Sequence, residues 1–199
     1  MDEAILRAFE TVPREKFAMP GQEGISYCDE DLPLGGGRCL MEPLTHARLI
    51  QAVRPKREDV ALDIGGATGY SAAILSQLVT TVVAVECNPE FYKRAENLWR
   101  QQEVCNVAGF EGPLDRGCPE HAPYSLIFLN GAVATLPDDL LSQLSLGGRL
   151  VAVICRPGSR VGQATLIERI SQDDFSSRPL FDASVAYLPG FEPRQEFVF

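Results

Sequence analysis

The sequence has few positive charges, no long apolar segment and no secretion signal. Its 18 lysines and arginines stand against 27 aspartates and glutamates, so the 199-residue chain has a net charge of -9. We expect no nucleic-acid partner, since non-specific binding to DNA or RNA depends on surplus positive charge. We expect no membrane partner either, since no apolar run approaches the roughly 20 residues that span a bilayer. Met1-Asp2-Glu3 has the wrong charge for a signal peptide, which indicates a cytoplasmic protein.

The spacing of the cysteines and histidines excludes the common metal sites. No two of the six cysteines lie within four residues of each other, so neither a zinc ligand pair nor a CxxC redox motif is present. His46 and His121, the only histidines, lie far apart in the sequence. We expect no metal, and we expect free thiols, because disulfide frameworks are typical of small secreted domains.

The remaining composition is that of a folded globular protein. Hydrophobic residues make up 45% of the chain and charged residues 23%. A chain of this length buries roughly 70% of the surface that it exposes when unfolded, so it needs no disulfide or metal for stability. We expect one domain, in which residues 1–55 pack as helices and a loop on a core formed by residues 56–199.

Strand-like and helix-like segments alternate along most of that core. The predicted strands are residues 60–64, 81–85, 104–110, 124–129 and 149–154, and the predicted helices are residues 70–78, 89–102 and 137–144. This alternation predicts a parallel sheet with helices on both faces. Two further apolar segments without a helix between them, residues 164–170 and 183–188, predict an antiparallel edge.

The segment before the core contains two predicted helices and a long loop. Residues 2–11 and 42–53 have helical spacing of their apolar residues, with Leu44, Ala47, Ile50 and Val53 on one face of the second helix. Residues 18–38 are rich in proline and glycine and include Gly35-Gly36-Gly37. Loops of this length are uncommon in compact domains and are often functional.

A glycine-rich turn follows the first strand of the core. In the stretch Asp63-Ile64-Gly65-Gly66-Ala67-Thr68-Gly69, the glycines let a ligand approach the main chain. Glu86 ends the next strand, where a carboxylate can accept both hydroxyls of a ribose. The turn and the acid together predict a site for an adenosine-bearing ligand at the carboxyl edge of the sheet.

The order of residues in the turn favours S-adenosylmethionine over a dinucleotide. A dinucleotide fold shows GxGxxG, whose helix N-terminus holds a pyrophosphate, whereas Ala67 and Gly69 break that order here. Asp63 would repel a pyrophosphate but would attract the ammonium group of a methionine moiety. An NAD-linked oxidoreductase is therefore the disfavoured alternative.

Several motifs in order resemble the protein-L-isoaspartate O-methyltransferase family over roughly residues 4–191. Residues 12–17 (VPREKF) are similar to the family's N-terminal signature, and residues 27–35 (YCDEDLPLG) to its acceptor-site loop. Residues 62–75 resemble its cofactor turn. Ala122-Pro123-Tyr124 and residues 144–151 resemble its fourth and fifth strand units.

The resemblance implies a bacterial, cytoplasmic methyltransferase of the protein-repair type. The implied fold is a single α/β domain of the class I methyltransferases, Rossmann-like and doubly wound, with a mostly parallel seven-stranded sheet and an antiparallel C-terminal edge. The implied cofactor is S-adenosyl-L-methionine, and the implied partner is a protein or peptide acceptor. The cofactor site is expected to contain Asp63, Gly65, Gly66, Ala67, Gly69, Glu86, Cys87, Glu111, Gly112 and Asn130.

The chain departs from the family in the acceptor loop. The family has a Ser-Gln pair where this chain has Met41-Glu42, so the acceptor hydroxyl is missing and a negative charge stands in place of a neutral amide. Arg38 has two open roles, which are recognition of a substrate carboxylate and a solvated surface position. Glu42 and His46 lie one helical turn apart and could act as a base for a non-carboxylate acceptor, although His46 is more simply an ordinary helix residue.

Two hypotheses from different classes follow. The first is a methyltransferase that acts on a carboxylate or on an altered acceptor. The second is a catalytically impaired cofactor-binding protein that serves as a sensor or interaction module. The segment 39–43 distinguishes them, because it keeps the proline of the acceptor loop but not its hydroxyl or amide.

Overall fold

The computed structural model describes residues 2–159 and 161–193. The helices of this part are α1 (Glu3–Thr11), α2 (Arg14–Phe17), α3 (Pro43–Val53), α4 (Tyr70–Ser76), α5 (Pro89–Gln101) and α6 (Asp138–Leu141). Its strands are β1 (Leu32–Gly35), β2 (Arg38–Leu40), β3 (Val60–Ile64), β4 (Thr81–Glu86), β5 (Val107–Glu111), β6 (Tyr124–Val133), β7 (Leu144–Ile154), β8 (Gly162–Arg169) and β9 (Phe175–Ala183). No helix among them is both long and apolar enough to cross a membrane.

Seven strands form one sheet in the order β5-β4-β3-β6-β7-β8-β9. The first five strands in that order pair in parallel, and β8 runs antiparallel to both of its neighbours. The fold class predicted from the sequence is confirmed. The carboxyl ends of the neighbouring strands β3 and β4 lie side by side, and an open α/β sheet binds its ligands at the carboxyl ends of its strands.

The two faces of the sheet are covered by different kinds of structure. One core cluster packs helices α1 to α5 against the sheet and includes the buried Phe17, Leu49, Ile74 and Phe91. The other contains Leu140 of α6, Leu114 of a short 3-10 turn, and Leu188 and Phe191 of the C-terminal segment. Helix α6 is shorter than predicted because residue 144 already belongs to β7, whose register with β6 begins there.

The predicted long loop at residues 18–38 is wrong in its second half. Strands β1 and β2 form an antiparallel hairpin around Gly35-Gly36-Gly37, with Leu32 opposite Leu40. Arg14 fastens the region beside this hairpin, since its guanidinium donates to the carbonyl oxygens of Ser26 at 2.6 Å and Met41 at 2.7 Å. Strands this short carry too few alternating residues to be visible in the sequence.

The predicted strand at residues 183–188 is also wrong. The edge strand is β9, which ends at Ala183, and Tyr187 makes only an isolated bridge with Ala132. The sequence hid β9 because five of its nine residues are exposed, four of them polar, and because the strand contains Pro179. Proline is tolerated at a sheet edge, where its missing N–H faces away from the ladder.

One further detail differs from the sequence-based prediction, and one buried ion pair was not predicted. Leu44, expected on the buried face of α3, is 51% exposed, because the helix turns Thr45, His46 and Leu49 inward beside the expected Ala47, Ile50 and Val53. At the opposite edge of the sheet, Arg149 and Asp59 form a buried ion pair in which Arg149 Nη2 lies 2.7 Å from both carboxylate oxygens. This pair lies near the amino ends of the strands, far from the glycine turn.

Candidate functional site

The glycine turn connects β3 to α4 at the carboxyl edge of the sheet. Gly65 and Gly69 have φ angles of +70° and +88°, a left-handed backbone that other residues adopt only with strain. A Cβ at Gly69 would lie 2.7 Å from the Trp99 ring, so this position needs glycine for space as well. The local sequence thus folds into a tight turn whose backbone points toward the end of β4.

Ala67 adopts a conformation in this turn that favours glycine. Its φ is +49°, although it carries a Cβ. We expect Ala67→Gly to raise the free energy of unfolding by about 0.5–1 kcal/mol, because relief of backbone strain exceeds the added entropy of the unfolded chain. A melting temperature about 1–4 °C above the wild type would show it. An unchanged or lower melting temperature would mean that the Ala67 backbone is not strained.

Asp63 lies beneath the turn and holds it to the neighbouring strand. Its carboxylate accepts hydrogen bonds from Ser71 Oγ at 2.6 Å and from Asn130 Nδ2 at 2.7 Å. Asn130 also donates to the Ile64 carbonyl at 3.0 Å. Burial raises the pKa of Asp63 to about 6, against the lowering effect of these hydrogen bonds. The carboxylate therefore supports the turn, and its contact with a ligand ammonium group stays a prediction.

Glu86 ends β4 and is saturated with hydrogen bonds from the protein. Its Oε1 accepts from the backbone N–H groups of Cys87 and Asn88, both at 3.0 Å, and its Oε2 accepts from Ala67 N–H at 2.9 Å. Arg38 completes the set with Nη1 to Oε1 at 2.9 Å and Nη2 to Oε2 at 3.2 Å. Through these hydrogen bonds the Glu86 carboxylate connects the glycine turn with the start of α5 and with the β1–β2 hairpin.

Arg38 is not the solvated surface residue that the sequence left open, and its recognition of a substrate carboxylate stays a prediction. It is buried, with 6% of its surface exposed, and it forms a bidentate ion pair with Glu86. It also donates to the Gly65 carbonyl, and its guanidinium lies 5.9 Å from the centre of the Phe91 ring. The sequence missed this pair because 48 positions separate the two residues and only the tertiary fold places the hairpin over the turn.

Trp99 closes the turn from the side of α5. Its indole N–H donates to the Gly69 carbonyl at 2.8 Å, and its ring is buried. The packing role expected from the sequence is confirmed. Between the turn, β4 and Trp99 remains a cavity of about 10 Å³, which is the room of about one water molecule.

The other expected cofactor residues lie around the ends of β4 and β5. Glu111 pairs in register with Glu86 and is exposed. Gly112 donates its N–H to the Glu86 carbonyl at 3.1 Å, and the half-buried Cys87 thiol lies 3.6 Å from Glu86 Oε1. The structure therefore brings all ten expected positions to one edge of the sheet, although several of them are occupied with internal contacts.

Met41 and Glu42 lie beside this site at the start of α3. Met41 is buried and lines a second cavity of about 10 Å³ together with Asp31, Arg38 and Asn130. The Glu42 carboxylate accepts a hydrogen bond from Thr45 Oγ1. The backbone N–H of Glu42 donates to Asp31 Oδ1 at 2.7 Å. Burial and the nearby charge of Glu42 raise the pKa of Asp31. The expected acceptor region therefore contains two carboxylates.

Comparison with known sequences decides the family. A family model described as protein-L-isoaspartate(D-aspartate) O-methyltransferase matches residues 1–193. The protein-L-isoaspartate O-methyltransferase 2 of Pelobacter propionicus is 36% identical over 191 residues, which cover 96% of this chain and 84% of that protein. The chain belongs to the protein-L-isoaspartate O-methyltransferase family. Another relative, protein-L-isoaspartate O-methyltransferase 1 of Geotalea uraniireducens, is 34% identical over 94% of this chain and 84% of its own length.

Solved structures agree with this family assignment. A protein-L-isoaspartate O-methyltransferase superposes on 95% of this chain with a TM-score of 0.85 and 26% identity, and this chain spans 62% of its length. A putative protein-L-isoaspartate O-methyltransferase from Plasmodium falciparum, in complex with S-adenosyl-L-homocysteine, has a TM-score of 0.78 and 18% identity over 92% of this chain and 89% of its own. At that identity the likeness is one of fold.

The residues present carry the chemical groups that suit an S-adenosyl cofactor. Other side chains of the protein, however, occupy the position where the cofactor would bind. The turn, the acid at the end of β4 and the acid at the end of β5 are present. However, Arg38 occupies the Glu86 carboxylate, and a Cβ at Gly65 would lie 2.6 Å from Leu188 and 3.2 Å from Arg38. Entry of the cofactor therefore requires these side chains to move.

His46 cannot serve as the base considered from the sequence. It is 2% exposed, and its ring packs against Phe9, Tyr70 and Phe128 at centroid distances of 5.5–5.7 Å. Neither ring nitrogen has a hydrogen-bond partner among the described residues. Burial, together with the nearby charge of Arg14, lowers the pKa of His46 to about 3. Its role is packing, as the simpler expectation had it.

This burial makes stability depend on pH. Between pH 6.5 and about 3 the unfolded chain protonates His46 and the folded protein does not, so stability is lost as the pH falls. The raised pKa of Asp63 acts in the opposite direction between its ordinary value of 3.8 and about 6. We expect the stability of His46→Leu, measured relative to wild type, to rise by about 1.4 kcal/mol per pH unit from pH 6 to pH 4.

Urea denaturation of both proteins at several pH values measures this difference. The difference in free energy of unfolding between the two proteins is used, because the contributions of Asp63 and of the other groups that titrate in the same pH range cancel in it. Parallel stability curves for the two proteins would show that His46 titrates alike in the folded and unfolded states.

Proposed function

We propose that this protein transfers a methyl group from S-adenosyl-L-methionine to a carboxylate of a protein or peptide, with an isoaspartyl residue as the first acceptor to test. One observation carries the proposal. In a chain that its family model matches over residues 1–193, the glycine turn and the Glu86 carboxylate meet at the carboxyl ends of two adjacent parallel strands. We also propose a reducing cytoplasmic compartment, which suits six cysteines that form no disulfide.

The proposal assigns each part of the site a binding role. Glu86 would accept the ribose hydroxyls, Glu111 and Gly112 would flank the adenine, and Asp63 with Asn130 would face the amino-acid end. The backbone of the glycine turn would lie beneath the cofactor, with Gly65, Gly66, Ala67 and Gly69 in contact with it. Cys87 would line one side of the cofactor site. The bound cofactor would supply a methyl group on a sulfonium centre, which reacts by in-line displacement.

The protein need not supply a base for this reaction. A carboxylate acceptor is ionised at neutral pH and is already nucleophilic. The contribution of the chain is alignment of the acceptor, which can account for several kcal/mol of the barrier. The burial of His46 removes one candidate base and is compatible with a carboxylate acceptor, which needs none.

Met41 and Glu42 bear on the choice of acceptor. Neither side chain offers a neutral hydrogen-bond donor to an incoming carboxylate, and Glu42 and Asp31 bring negative charge. We propose that these positions make the protein a weak isoaspartyl methyltransferase or direct it to a related carboxylate in a less acidic or cation-bearing peptide.

The test measures transfer of a labelled methyl group to two matched peptides. They differ only in carrying isoaspartate or aspartate at one position. Methylation of the isoaspartyl peptide alone supports the proposal. Binding of S-adenosylhomocysteine without methylation of any carboxylate peptide would favour the sensor hypothesis. No binding of S-adenosylhomocysteine at all would overturn the cofactor assignment.

A further inference from the structure

We infer that Arg38 sets the cofactor affinity of this protein by competing with the ribose for the Glu86 carboxylate. The inference rests on the proposed function, since it assigns the ribose to Glu86. In the structure Arg38 is bound to Glu86, with both of its guanidinium Nη atoms within 3.2 Å of the carboxylate oxygens. Arg38 is thus an affinity-determining residue for the cofactor.

The hydrogen bonds of Glu86 explain why the two partners exclude each other. A carboxylate offers about four lone-pair positions. The N–H groups of Ala67, Cys87 and Asn88 already fill three of them, and they belong to the backbone that forms the site. The two contacts from Arg38 bring the total to five, which leaves no lone pair free for the ribose hydroxyls, so Arg38 must leave before they bind.

The hairpin provides a way for Arg38 to leave. Arg38 directly follows Gly35-Gly36-Gly37, whose φ angles are +96°, +58° and +75°. All three glycines are exposed, and a Cβ on any of them would meet nothing within 4 Å among the described atoms. The two-stranded hairpin pairs with itself and not with the seven-stranded sheet. Arg38 can therefore leave Glu86 without breaking a hydrogen bond of the main sheet, while Leu32, Leu34 and Leu40 hold the rest of the hairpin in the core.

This competition predicts a lowered apparent affinity. When only a fraction of molecules has an open site, the apparent dissociation constant rises by the inverse of that fraction. If the Arg38–Glu86 pair leaves roughly 1–10% of molecules open, its removal tightens binding about 10–100-fold. Arg38→Gln removes the charge but keeps a side chain that donates to Glu86, which preserves the fold.

Calorimetric titration with S-adenosylhomocysteine tests the inference without any methyl acceptor. We expect Arg38→Gln to bind about 10–100-fold more tightly than the wild type. Arg38→Lys should lie between the two, because lysine offers a point charge in place of the bidentate fork. Arg149→Gln is the matched control, since it removes a second buried arginine–carboxylate pair at the other edge of the sheet. It should leave the affinity unchanged.

A double-mutant cycle shows whether Arg38 acts through Glu86. In a Glu86→Gln background, Arg38→Gln should give little or no further gain, because the charge that held Arg38 is gone.

Binding kinetics give a second readout. Trp99 is the only tryptophan and donates to Gly69 in the turn, so its fluorescence reports ligand entry. Opening before binding predicts an observed rate that saturates with ligand in the wild type.

The outcomes separate this inference from the proposed function. Equal affinities for wild type and Arg38→Gln, with clear binding by both, would overturn the competition and leave the proposed function standing. Failure of both proteins to bind would remove the cofactor assignment and the inference together. A gain in Arg38→Gln that persists in the Glu86→Gln background would show that Arg38 blocks the site in another way.

Discussion

Glu86→Ala is expected to lower the free energy of unfolding by about 3–5 kcal/mol and to abolish measurable binding of S-adenosylhomocysteine. The first effect follows from the buried ion pair. Arg38 is 6% exposed, so without Glu86 its guanidinium either stays buried without a counter-charge or has to leave its packed position. Removing one partner of a buried pair costs about this much, whereas an exposed pair contributes little.

Three backbone groups add to this loss. The N–H groups of Ala67, Cys87 and Asn88 donate to Glu86 and would lose their acceptor. They belong to the glycine turn and to the residues that lead into α5, so the variant also loosens the cofactor site. The ribose acceptor disappears at the same time, which accounts for the loss of binding.

Chemical denaturation and calorimetry measure the two effects separately. Glu86→Gln is the control, because it keeps an acceptor oxygen and the volume but removes the charge. We expect it to lose less stability than Glu86→Ala and to retain weak binding. If Glu86→Ala unfolds at the same denaturant concentration as the wild type, the Arg38–Glu86 pair does not form in solution.

Met41→Ser combined with Glu42→Gln is expected to raise kcat/KM for an isoaspartyl peptide by about tenfold or more. A unit charge about 4 Å from the acceptor carboxylate repels it by about 1–4 kcal/mol across plausible dielectrics. Glu42 is only half-buried, which favours the lower end of that range. The serine adds a hydroxyl donor at a position that lines the cavity beside Asn130.

The design isolates the acceptor from the cofactor. The double variant should bind S-adenosylhomocysteine as the wild type does, and the two single variants divide the gain between hydroxyl and charge. Glu30→Gln, which removes an exposed acid from the nearby loop, should change nothing. Unchanged turnover in the double variant with intact cofactor affinity would show that these two positions do not set acceptor preference.

The prediction of the fold rested on local patterns that the tertiary structure preserved. Strand β3 has the predicted bounds, and β4 differs by one residue. Parallel central strands are buried on both faces, so they form continuous apolar runs that stand out in a sequence. The hairpin and β9 were missed or misplaced because short strands and exposed edge strands carry no such run.

The positions predicted for the site lie together in the structure, but most of their hydrogen-bond partners were not predicted. The glycine turn and Glu86 lie together as expected, because the carboxyl ends of adjacent parallel strands meet at one edge. Ser71 was overlooked, although its place in the first turn after the glycines is a local signal that could have found it. Trp99 was recognised as a packing residue but not as a hydrogen-bond donor to the turn.

The sequence by itself determined the parallel part of the sheet, the turn and the chemical types of the residues at its carboxyl edge, because these depend on periodicity and on spacing over a few residues. Only the tertiary structure decided that Arg38 pairs with Glu86 and that His46 is enclosed by aromatic rings. Those contacts join segments far apart in the chain. Burial, which turns a nearby charge into a strong interaction, arises only when the segments pack.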